Sequence, residues 1–192
     1  MKAKEFDEIW HKTATKELLQ SGFIRNGSCY LKTNGTAILQ FSKTSQKTIF
    51  TGFQFSYTHT FLETWTDEYP KKWPLLREQF LLTFSKLNLI KCAKKGLLDE
   101  AVLVLDYSNG KRNINSDFPM IALTEMTNSE INNYIGENVM AAKLEGIKIL
   151  NELTIDTAIK LLSGKVDDSF MPKRWLKTLE DALDNQNFTS LS

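Results

Sequence analysis

The chain has 192 residues, 42% of them hydrophobic and 24% charged, with a formal net charge of +1. That length and apolar content suit one sizeable core. The near-balance of charge argues against a dedicated nucleic-acid binder, which should carry a basic excess or stripe.

No stretch approaches the ~18 consecutive apolar residues of a membrane span. The opening MKAKEFDEIW is charged where a signal peptide would turn apolar. The two cysteines, Cys29 and Cys92, stand far apart and in no motif. That usage suits a reducing compartment, where free thiols persist as small hydrophobes. A soluble cytoplasmic protein with no membrane segment is expected.

Residues 4 to 20 carry Phe6, Ile9, Trp10, Ala14 and Leu18 at helical spacing, with Lys and Glu on the other face. Gly22 and Phe23 then form a helix stop, the glycine taking the left-handed cap and the phenylalanine folding back on the last turn. The period changes to two. Phe23 to Arg25, Cys29 to Lys32 and Ala37 to Lys43 read as strands joined at Asn26-Gly27 and Asn34-Gly35. Asn-Gly pairs are favoured in hairpins because both central residues of a type I′ turn need positive φ.

The cleanest element follows. In Thr48 to Phe61, TIFTGFQFSYTHTF, the residues Ile49, Phe53, Phe55, Tyr57 and Phe61 share one parity with Thr51 and His59. Small polar residues dominate the other. Alternation of this kind puts one strand face on a core, so a long central strand is expected, with its aromatics buried against Phe6, Trp10 and Ala14.

Pro70 and Pro74 break the pattern over residues 62 to 74, which also hold Trp65, Tyr69 and Trp73. Residues 75 to 107 fit either period. Phe80, Leu82 and Phe84 alternate, while Leu76, Phe80, Phe84 and Leu87 also fit a helix. Ala101 to Tyr107 shares that ambiguity and leans towards strand.

The last third is helical. Thr127 and Glu130 have capping-box spacing, with Met126 and Ile131 placed as the hydrophobic staple. Ile131, Tyr134, Ile135, Val139, Ala142 and Leu144 then form a stripe that Gly146 is expected to end. Ile147 to Leu150 reads as a short extended piece. Thr154 caps a helix running to Leu162 and stopped by Gly164. Pro172 suits a first helical turn, and Trp175, Leu176, Leu179 and Leu183 mark a final helix.

Two blocks of this layout resemble a known family. EFDEIWHKTATKELLQSGFIRNGSCYLK, with the following AILQFSK and FQFSYTHTF, looks like the opening helix, glycine-phenylalanine stop and strands of an uncharacterised bacterial family, domain of unknown function 4304. LEGIKILNELTIDTAIKLL is similar to that family's helix, glycine, short extended piece and capped helix. The blocks cover about half of the chain. Residues 62 to 110 depart from the tryptophan-rich pattern of such proteins, and the final helix is additional. The family carries no activity to transfer to any residue. Some small bacterial proteins of similar type accompany toxins as immunity proteins, and the resemblance implies such a role by analogy.

The residues themselves offer little chemistry. His59 is the candidate general base, to be oriented by Glu63 or Asp67. No nucleophile or oxyanion motif accompanies it, so a structural or partly exposed histidine at a strand end is the better account. His11, beside Trp10, is expected to be solvated. Cys29, Cys92, His11 and His59 lack the close pairs of a zinc site. Cys29 as a nucleophile would need a histidine partner that spacing cannot place. Asp67-Glu68, Asp167-Asp168 and Glu180-Asp181 are adjacent pairs whose side chains diverge, and Ser108 to Lys111 lacks the frame of a phosphate loop. Lys71, Lys72, Lys91, Lys94 and Lys95 form short runs typical of solvated surface.

The expected fold is therefore α+β: an antiparallel sheet of four to six strands packed by an N-terminal helix, with a helical C-terminal third. Residues 1 to 164 form the domain, and 165 to 192 a helix and tail. The expected function is a non-enzymatic protein-binding module, contacting its partner through Trp65, Tyr69 and Trp73. A small enzyme with its site near His59, or a structural subunit, are the alternatives. Neither metal nor cofactor is expected.

Overall fold

The aromatic strand lies inside the sheet, paired along both of its sides. The computed structural model describes residues 3–47, 51–61, 82–96, 121–122, 126–163 and 176–184. Among them the strands are β1 (Ile24–Asn26), β2 (Cys29–Thr33), β3 (Ala37–Lys47), β4 (Thr51–Phe61), β5 (Leu82–Phe84) and β6 (Ile121–Ala122). They form one antiparallel sheet in the order β1-β2-β3-β4-β5, and β6 also pairs with β4. β5 meets β4 at Tyr57–His59 and β6 meets it at Gly52–Phe53, so the two share the same side of β4.

The helices are α1 (Ala3–Gln20), α2 (Lys86–Lys95), α3 (Asn128–Ala141), α4 (Ile147–Glu152), α5 (Ile155–Ser163) and α6 (residues 176–184). The α+β class and the antiparallel sheet with its N-terminal helix are as the periodicities predict.

Parity places the core. Phe53, Phe55, Tyr57 and His59 on β4, with Ala37, Leu39 and Phe41 on β3, all lie buried on the face that meets the helices. α1 buries Phe6, Trp10, Ala14 and Leu18 against it. Phe6 stacks on Phe53 at 4.0 Å between ring centroids, and Trp10 lies 5.1 Å from Phe55 and 5.2 Å from Phe41. Tyr57 is held differently from the expectation. Its hydroxyl donates to the Asn138 side chain of α3 at 2.7 Å, so α3 rather than α1 covers that end of the strand. α3 lies between α1 and α2: Lys143, just past its end, pairs with Glu17, and Glu137 pairs with Lys86. The sheet's other face is also covered at its middle, where Leu31, Ile38 and Gln40 are buried.

The ends of the elements have local causes. Phe23 N–H donates to Leu18 O and Gly22 N–H to Leu19 O, the Schellman pair, with Gly22 at φ 78°. The β1–β2 turn is centred on Gly27–Ser28, one residue later than Asn26-Gly27, because Asn26 pairs with Cys29. Gly27 has φ 61° while Ser28 is not among the residues with positive φ, which fits a type II′ turn rather than I′. Asn34 closes the next turn by accepting from the Thr36 and Ala37 N–H groups. Its amide nitrogen then donates to Leu150 O at 2.6 Å, satisfying a carbonyl near the end of α4.

The Thr127 capping box is formed: its hydroxyl accepts from Glu130 N–H, and its own N–H donates to the Glu130 carboxylate at 2.7 Å. Replacing Thr127 by alanine should cost ~1 kcal/mol, read as a lower urea midpoint at unchanged slope. An unchanged midpoint would show that the box contributes nothing.

Three expectations in this region are corrected. Gly146 does not end the helix, and Ile147 to Leu150 is not extended. The chain passes through a π turn at Ala142–Gly146 and continues as α4, with Ile149 and Leu150 buried. Leu144 is 58% exposed because it lies two residues past buried Ala142, on the opposite side of the helix. In the ambiguous stretch, Leu82–Phe84 is strand and Lys86–Lys95 helix, divided by the N-cap Ser85. Further on, α5 is capped by Thr154, which accepts from Thr157 N–H at 3.1 Å. Leu179 of α6 is buried, and Leu176 and Leu183 pack on the core, whereas Pro172, Trp175 and Gly164 fall outside the described residues.

Candidate functional site

β4 delivers His59 to the helix-covered face, directly across from Leu39 of β3. The ring is 0% exposed. Its Nε2 lies 3.0 Å from Gly146 O, the last residue of the π turn. A carbonyl can only accept, so Nε2 carries the proton and Nδ1 is the lone-pair nitrogen. Nδ1 is buried and meets no hydrogen-bond partner among the described residues. Phe84 packs edge-on at 5.7 Å. Burial lowers the ring's pKa from 6.5 to about 4, opposed by the Gly146 carbonyl. His59 is thus neutral and sealed at physiological pH. Glu63 and Asp67, its predicted orienting carboxylates, lie outside the described residues.

The approach of the helix here depends on Gly146. A Cβ on it would stand 2.9 Å from Leu39 Cδ2. The missing side chain lets the π turn settle onto Leu39 and brings its carbonyl within reach of His59.

His11 is half-buried rather than solvated. Its Nδ1 lies 3.5 Å from the Tyr30 hydroxyl, and its Nε2 3.3 Å from Arg25 Nη2. Burial, then the Arg25 charge, lowers its pKa. The Tyr30 hydroxyl also meets Thr15 Oγ1 at 2.7 Å. This cluster ties α1 to the β1–β2 hairpin.

Both cysteines are buried. Burial raises the Cys29 thiol, which disfavours the thiolate that a nucleophile needs, and Gln40 Nε2 donates to its sulfur at 3.6 Å. Among the described residues, no group of three or more His, Cys, Asp or Glu is arranged to hold a metal ion.

Lys43 is a charged group that periodicity did not single out. It sits on the helix-covered face of β3, paired with Asp7, and its ammonium lies over the rings of Phe53 at 4.9 Å and Phe6 at 5.4 Å. Burial lowers its pKa to about 8. Its position at the edge of the aromatic cluster lets the stem pack while the head finds a carboxylate.

An open hollow of 410 Å³ lies between the start of α1 and Asn128, lined by Glu5, Glu8, Ile9 and Lys12. Among the described residues that line it there is no histidine, thiol or hydroxyl nucleophile. Lys91, Lys94 and Lys95 project from the solvent side of α2, and Glu180 and Asp181 from that of α6. Trp65, Tyr69, Trp73 and the lysines Lys71 and Lys72 lie outside the described residues, as do Asp67-Glu68, Asp167-Asp168 and Ser108 to Lys111. Among the described residues, no helix is long and apolar enough to cross a membrane. Compared with known proteins, the chain matches no family model, no curated protein and no solved structure.

Proposed function

We propose that the protein is a cytoplasmic, non-enzymatic module that acts by binding another protein, in the manner of an immunity protein or antitoxin. The observation that carries this reading is the state of His59. The histidine on the aromatic face is 0% exposed and committed to a backbone carbonyl. It serves packing and is not itself open to a substrate. Balanced charge removes the electrostatic drive towards nucleic acid. The resemblance to domain of unknown function 4304 adds the analogy with toxin partners.

The contact residues in this reading are Trp65, Tyr69 and Trp73, because large aromatics dominate interface hot spots. Pro70 and Pro74 restrict the free segment, so less entropy is lost on docking. The test begins with capture of the partner from the source cells. Trp73→Ala should then weaken the complex by ~2 kcal/mol or more, measured by calorimetry, with the thermal transition unchanged. Unfolding of Trp73→Ala would make the tryptophan core cover and place the contact elsewhere. Turnover of a substrate that is lost in His59→Ala would replace this reading with an enzyme.

A further inference from the structure

We propose that His59 is an acid-sensitive latch: its neutral ring closes the π turn of the long helix onto the sheet, and proton uptake at Nδ1 opens that turn.

The geometry has four parts. The helix from Asn128 to Glu152 is regular except at Ala142–Gly146. A π turn inside an α-helix is rare and less favourable than the α-helical turn it replaces, so it needs outside support. Two contacts support it at Gly146. One is the hydrogen bond from His59 Nε2, and the other is the close seat on Leu39 that only a glycine permits. Leu39 and His59 are cross-strand neighbours, so both contacts come from one spot on the sheet.

The fourth part is the bare Nδ1. In the neutral ring it is a buried lone pair with no donor, which costs little in apolar surroundings. A proton there makes it a buried N–H carrying positive charge, with no acceptor among the described residues. That state is strongly disfavoured in a sealed site. The described surroundings offer no relief. On β4 the neighbour along this face is Tyr57, whose hydroxyl is held by Asn138. β3 presents Leu39 and β5 presents Phe84. The π turn carries Lys143, paired with Glu17, and Glu145. α4 carries Lys148, held by the Ala93 carbonyl, and α2 turns Cys92 inward. Among the described residues the proton affinity of the ring is set by burial, which lowers it, and by the Gly146 carbonyl, which raises it.

Proton uptake is therefore linked to opening. The folded-state pKa lies at about 4, below the ordinary 6.5. The closed state keeps its full stability above about pH 6.5 and loses it as the pH falls towards about 4. One linked proton raises the opening constant about tenfold per pH unit within that window. The turn opens first because it is the segment the ring holds, whereas α1 is anchored by Phe6, Trp10 and Leu18 elsewhere on the sheet.

Amide hydrogen exchange, corrected for intrinsic rates and followed from about pH 7.5 to about pH 4.5, tests this. In the wild-type chain, protection of residues 142 to 150 should fall about tenfold per pH unit below about 6.5, while α1 stays protected. His59→Gln keeps an N–H donor but takes up no proton, and should abolish the fall. Protection that is independent of pH, an equal fall in His59→Gln, or α1 and the π turn failing together would each overturn the latch. If His59→Gln does not fold, the ¹⁵N shifts of the wild-type His59 ring decide. A proton gained together with the loss of protection supports the latch. A ring that titrates while residues 142 to 150 stay protected overturns it.

Discussion

Truncating Phe55 to alanine should destabilise the protein by ~3–5 kcal/mol. Phe55 is 5% exposed and sits where three elements meet. Its ring lies 5.1 Å from Trp10 of α1, 5.7 Å from Phe41 of β3 and 5.7 Å from Tyr134 of α3. The transfer of the ring from water is only part of the cost. Its neighbours are large, flat and fixed by their own packing, so they close poorly over a vacated site, and the remaining cavity adds to the loss. Ile24 provides the contrast. It is 54% exposed at the edge of the sheet, so its replacement by alanine should change stability by less than ~0.5 kcal/mol. Urea melts of the two variants check the pair. A loss below ~1 kcal/mol for Phe55→Ala would mean that the core re-forms around the gap, and that the aromatic parity of β4 does not organise the fold.

That parity was legible because a strand has a strict period of two and β4 obeys it for eleven residues. The stripe of α1 and the Thr127 box were legible for the same reason: spacing alone specifies them. What could not be read has a different physical origin. Gly146 looked like a stop because glycine commonly ends helices at positive φ. Here its φ is −63°, within the helix, and its role is to omit a Cβ beside Leu39. Sequence alone does not separate these two uses of glycine. β5 has three residues and β6 two, too few for any period to register. The face of His59 was plain from its parity, but its partner was not, since the Gly146 carbonyl that it meets lies 87 positions further along the chain. Asn34 was recognised as a turn residue, yet its bond to Leu150 spans more than a hundred positions and leaves no local trace.

The two glycines of the long helix should respond to alanine with opposite signs. Gly136→Ala meets nothing within 4 Å of the new Cβ. The helix gains propensity with no packing cost, so the variant should be more stable by ~1 kcal/mol. Gly146→Ala gains the same propensity, but its Cβ would stand 2.9 Å from Leu39 Cδ2. Leu39 is 0% exposed, so it cannot swing aside into solvent. Either Leu39 leaves its rotamer or the π turn lifts from the sheet. Overpacking of this kind costs ~1–3 kcal/mol, which outweighs the ~1 kcal/mol gained. Lifting the turn also lengthens the 3.0 Å bond from His59 to Gly146 O and leaves a buried donor poorly matched, so the cost should lie towards the upper end. Denaturant melts of both variants against the parent measure the difference directly. Equal stabilisation by the two alanines would show that Leu39 yields freely, and the seat of the π turn on the sheet would then not depend on the absence of a side chain at Gly146.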